Sequence, residues 1–85
     1  MNAMDQVIVL MKSVHQHMAM EDRLDRHQIR YKTVVKPRSL GSDCGTALQV
    51  APADIERIRK LSDDSGLTIF GVFVRENDGW KPMVP

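Results

Sequence analysis

Only one cysteine, Cys44, occurs among the 85 residues of this chain, beside a single tryptophan, a single tyrosine and two phenylalanines. One cysteine excludes an internal disulfide, an internal CxxC pair and a thiol-rich zinc site. No charge of one sign dominates either. Twelve basic and eleven acidic residues are well mixed, giving a net charge of +1, and so weak a field does not hold nucleic acid or an anionic membrane. Long apolar runs are missing too. The start, MNAMDQVIVLMK, has a run of only VIVLM. It lacks the charged leading segment, long apolar centre and small-residue cleavage site of a secretory signal, and nothing approaches membrane-spanning length. The expected compartment is the cytoplasm, where a lone thiol stays free unless it is catalytic or a carrier.

What is present reads as an ordinary globular domain. Apolar content is 42% and charged content 27%, which excludes a disordered tail or a fibre. The expected organisation is one domain over residues 1–85, with a core at 6–75 and a C-terminal turn and tail at 76–85. A chain this short has a thin stability margin, so a homodimer is an open alternative.

The apolar periodicity gives an element order. QVIVLM (6–11) reads as a buried strand. Ser13 stands as an N-cap with Gln16 three positions on, a capping box that starts a helix over Val14–His27. Val14, Met18, Met20 and Leu24 are expected on its apolar face. IRYKTVV (29–35) alternates as a half-buried strand, 37–45 is a loop, and TALQV (46–50) is a short strand. Pro52 opens a second helix whose stripe is Ile55, Ile58 and Leu61, with Gly66 as its stop. LTIFGVFV (67–74) is the most strand-like stretch, and RENDGWKPMVP reads as turn and tail. The order βαββαβ is that of a ferredoxin-like α+β two-layer sandwich, with an antiparallel sheet in the order 4-1-3-2.

That topology raises a question about PRSLGSDCGTAL (37–48), where the sole thiol sits among turn-forming residues. Strands 1 and 3 would be antiparallel neighbours, so Cys44, at the start of strand 3, would face the N-terminus of the first helix. A helix N-terminus stabilises anions, a thiolate among them. Lys12, Lys36 and Arg38 would add positive potential. Gly41 and Gly45 would permit close approach, and Ser42 and Asp43 supply acceptors that fix turns. Against this, Asp43 beside the sulfur would disfavour a thiolate, and many free cysteines are simply buried small hydrophobes.

The stretch VVKPRSLGSDCGTALQVAPADIERI resembles the signature of the selenium/sulfur carrier-like family, short proteins long known only as a domain of unknown function. Pro37, Arg38, Ser42, Cys44, Gly45, Ala47 and Leu48 stand at matching places, as do Ser13, His15 and Glu21 in SVHQHMAMEDRL. Gly41 and Asp43 depart from the family's serines, and Val14 from its threonine. The resemblance implies a carrier, not a complete enzyme: Cys44 would hold sulfur or selenium as a persulfide or selenosulfide. Donor and acceptor enzymes would be the protein partners. Arg38 would stabilise the persulfide or dock a partner, while Ser42, Gly45 and Ser13 would support the loop and helix end. A neutral His15 would hydrogen-bond the sulfur. No cofactor is implied.

Other readings stay in view. His15 and His17 point about 200° apart on a helix, so they do not share a metal, and no metal site is expected. Glu21 falls on the apolar face and is expected to reach water at its edge, because an unpartnered buried carboxylate is costly. The inner strands lack the aromatics on which an RNA-binding sheet stacks bases. The alternative function is a ferredoxin-like ligand- or partner-binding module in which Cys44 is incidental, and a weaker one is a redox sensor. Exposure of Cys44 separates them: a carrier or sensor needs a reachable sulfur.

Overall fold

The computed structural model describes residues 7–41, 43–77 and 79–83. Among the described residues, five strands and two helices form in the order β1 (Val7–Met11), α1 (Val14–Arg26), β2 (Lys32–Val35), β3 (Thr46–Val50), α2 (Ile55–Asp64), β4 (Ile69–Glu76) and β5 (Gly79–Pro82). They make an α+β architecture with one antiparallel sheet in the order β2-β3-β1-β4-β5. The expected four-stranded sheet in the order 4-1-3-2 is thereby corrected. β1 does lie between β3 and β4, and β2 beside β3, but the sheet continues through a fifth strand. That strand was read as tail because GWKP is short, polar and ends in proline. It forms because Pro82 stands last on an outer strand, where its missing N–H breaks no ladder. Trp80 gives it an apolar anchor.

The alternation of β1 explains where the core sits. Val7, Val9 and Met11 point to the helix-covered face, with Leu48, Val50 and Val72 beside them and Met20, Leu24, Ile55 and Ile58 above. Ile8 and Leu10 point the other way, into a smaller cluster with Ala47 and Phe73. Among the described residues, no helix covers that second face. Leu40 from the 37–45 loop, Val34 and Trp80 pack over it instead, so β1 is buried on both sides along its whole length.

Local expectations fare unevenly. α1 buries His17, Met20 and Leu24, whereas Val14 and Met18 are 57% and 64% exposed. They stand roughly 60–100° around the helix from His17, at the rim of the stripe. β2 begins only at Lys32, because α1 closes through a left-handed Gln28 (φ 57°) and the Ile29 N–H still bonds back to the Leu24 carbonyl at 2.9 Å. Pro52–Asp54 forms a 3₁₀ turn that leads into α2. Gly66 (φ 70°) stops α2 as expected, with Leu67 N–H bonding back to the Ser62 carbonyl at 2.9 Å. Among the described residues, no helix is long and apolar enough to cross a membrane.

Candidate functional site

The register locates the thiol. Val7 pairs with Val50 and Val9 with Leu48, so continuing the count sets Thr46 level with Met11 and Cys44 level with Ser13. The loop before β3 thus ends at the edge of the molecule where β1 hands over to α1. That junction is firmly tied. Ser13 Oγ accepts from the Gln16 N–H at 3.3 Å, and the Lys12 N–H donates to the Thr68 carbonyl at 3.1 Å. The capping box is only half formed, because Gln16 Oε1 accepts from the Thr68 N–H at 2.7 Å and does not reach back to Ser13.

Cys44 itself is fully buried, at 0% exposure. Its sulfur lies 3.4 Å from Thr46 Oγ1. The reachable sulfur that a carrier or sensor needs is therefore not what the structure shows. The loop around it is tied down by backbone and side-chain bonds. The Lys36 N–H bonds the Gly45 carbonyl at 3.0 Å, extending the β2–β3 ladder past Thr46. Pro37–Leu40 closes a turn, with the Leu40 N–H on the Pro37 carbonyl at 3.1 Å. Lys36 Nζ donates to the Gly41 carbonyl at 3.4 Å, and Leu40 inserts into the far-face cluster.

The two loop glycines do different things. A Cβ on Gly41 would meet Phe70 Cζ at 3.3 Å, so packing asks for a small residue there. Gly45 is exposed, has no left-handed φ, and a Cβ on it would meet nothing within 4 Å. Neither the backbone nor the packing requires glycine beside the cysteine.

The remaining candidates are spread around this end. Arg38 is exposed on the Pro37–Leu40 turn and takes part in no ion pair among the described residues. His15 is exposed in the first turn of α1, while Ser13 is occupied as the cap. Ser42 lies outside the described residues. No group of His, Cys, Asp and Glu converges as metal ligands among the described residues.

One cluster was missed from the sequence. His17, not His15, turns inward, at 3% exposure. Its Nε2 lies 3.2 Å from Glu21 Oε2, and the same oxygen accepts the Thr33 hydroxyl of β2. Toward a carboxylate oxygen, which only accepts, the imidazole donates from Nε2. Nδ1 is buried and has no hydrogen-bond partner among the described residues. The signal available in the sequence was the spacing of four between His17 and Glu21, which puts them on one flank of a helix. Glu21 is 29% exposed, so it sits at the edge of the apolar face, as expected, but with two partners.

Residues 6–74 match a family model described as "Putative Se/S carrier protein-like". No curated protein and no solved structure shows a significant match to the chain.

Proposed function

The chain belongs to the Se/S carrier protein-like family, and from that premise we propose that Cys44 is the carrier atom for sulfane sulfur or selenium. The observation that carries the reading is the Cys44–Gly45 pair: a sole thiol beside a glycine that neither φ nor packing requires. In the transfer step the Cys44 thiolate attacks the terminal sulfur of a donor enzyme's persulfide. The donor's S–S bond breaks, a new S–S bond forms on Cys44, and the donor leaves as a thiolate with no net oxidation. The same exchange with a donor's own selenosulfide breaks the donor S–Se bond, forms an S–Se bond on Cys44 and again releases the donor as a thiolate. With no second cysteine in the chain, no internal thiol can displace the cargo.

Burial of Cys44 adds a condition: the 37–45 loop lifts, as a lid, before the donor reaches the thiol. A closed lid then keeps the loaded persulfide from stray thiols between partners. The protein's role is that of an accessory carrier acting with protein partners, in the cytoplasm. The test is intact mass after incubation with a cysteine desulfurase and cysteine, wild type beside Cys44→Ser. One added sulfur on the wild type alone, removed by a reductant, is expected. Wild type left unmodified would return Cys44 to the role of a core residue and leave a partner-binding module as the better reading.

A further inference from the structure

From Gln28 to Gly41 the chain carries Arg30, Lys32, Lys36 and Arg38 and no carboxylate. β2 lies in the middle of that stretch and is the outermost strand on its side of the sheet. Because Lys36 bonds Gly45, and Val34 and Lys32 pair with Ala47 and Gln49, the even-numbered residues face the β3 ladder. Alternate residues of an antiparallel strand bond to opposite sides. The backbone groups of Thr33 and Val35 therefore turn outward, away from β3.

Side chains sort by the same period. Lys32, Val34 and Lys36 share one face, and Thr33 and Val35 share the helix-covered face. Val35 is 82% exposed there. The bond between Glu21 and Thr33 shows which flank of α1 stands over β2. Met18 and Val14 lie one and two turns back along that flank. α1 and β2 run in opposite directions, because β1 and β2 are both antiparallel to β3. Moving back from Glu21 to Met18 and Val14 is thus moving forward from Thr33 to Val35. Three of the four exposed large apolar side chains described meet beside one open strand edge.

We propose that the β2 edge binds an extended segment of a partner protein by strand addition, one whose residues alternate between apolar and acidic. Main-chain bonds would run to Thr33 and Val35, the apolar side chains would rest on Val35, Met18 and Val14, and the carboxylates would face Lys32 and Lys36. Short length and lysines are how an outer strand repels its own kind, and a second copy would set these cations against its own. An acidic segment meets attraction at the same place. The edge stands as a binding surface whether or not Cys44 carries sulfur. If it does, the partner docks one strand away, since Val35 pairs with Thr46, whose hydroxyl is 3.4 Å from the sulfur.

The probe is a blocked heptapeptide of alternating glutamate and valine, titrated into the labelled protein and followed by amide exchange and chemical shifts. Slowed exchange at the Thr33 and Val35 amides is expected, with binding weakened by salt. Val35→Asp, a change at an exposed site, should weaken binding at least about tenfold, the equivalent of about 1.4 kcal/mol. The same peptide with lysine for glutamate, or N-methylated on alternate residues, should not bind. No binding of the acidic peptide, equal binding to Val35→Asp, equal binding of the N-methylated peptide, or dimerisation of the chain through β2 would each overturn the proposal.

Discussion

Replacing Leu40 with alanine separates a lid that opens locally from a thiol that is reached only by unfolding. Among the described residues of the 37–45 loop, Leu40 is the one whose side chain packs into the cluster of Ile8, Leu10, Ala47 and Phe73. Lifting the loop breaks the Lys36–Gly45 backbone bond, about 1 kcal/mol net. It also withdraws half-buried Leu40 and exposes Cys44, about 1 kcal/mol each by the apolar area returned to water. Opening then costs about 3 kcal/mol, which slows alkylation of Cys44 by a factor on the order of 100 relative to an open thiol. Leu40→Ala removes about 1 kcal/mol of that, so alkylation should speed up about fivefold. The assay is the rate of modification by iodoacetamide at several urea concentrations well below the unfolding transition. A local opening exposes little surface and gives a shallow urea dependence. A steep dependence, equal to that of global unfolding, would refute the lid. So would a rate in the wild type as fast as that of the unfolded chain.

Three further outcomes follow from packing and charge. Gly71→Ala should cost about 1–3 kcal/mol in urea melts, because its Cβ would meet Phe73 Cε2 and Cζ at 2.8 Å; Gly45→Ala should change stability by less than about 0.5 kcal/mol. Trp80→Ala should destabilise by about 1–3 kcal/mol and loosen β5, since this half-buried ring covers the far face and carries Arg75 at 5.7 Å from its centroid; unchanged stability would show that β5 adds nothing. Tyr31 titrates above the ordinary phenol range, through desolvation first and then its hydrogen bond to, and the charge of, Asp25. The folded state thus favours the neutral phenol, and the small stability this gives is present below the ordinary phenol range and lost as pH rises through the raised value. Asp25→Asn should lower the midpoint of the phenolate absorbance, and an unmoved midpoint would remove Asp25 from the account.

The sequence was most readable where one period ruled. VIVLM, TALQV and IFGVFV are apolar enough that their strands admit no other reading, and Ser13 and Gly66 mark helix ends by side-chain and backbone chemistry that acts locally. It was least readable where tertiary packing decided. GWKP has no strand periodicity, and becomes β5 only because Trp80 finds Ile8 and Phe73 across the sheet. Val14 and Met18 were assigned to the core by hydrophobicity, yet the centre of the buried stripe passes through His17. At the site, the family resemblance singled out Cys44 and Gly45, and the alternation of residues around β3 gave the level of the thiol. Its burial was not legible. The composition of PRSLGSDCG says turn, and nothing local says that the sulfur will be buried beside Thr46.

The account's central claim is that Cys44 receives a sulfur atom and gives it up intact. The most direct measurement starts from protein charged by a cysteine desulfurase, freed of donor and excess cysteine, then mixed with a protein thiol acceptor and followed by intact mass. The expected result is one sulfur lost from this chain for each sulfur gained by the acceptor, with Cys44→Ser inert at both stages. Charging that fails, or cargo that never leaves Cys44 for an acceptor, would contradict the carrier role.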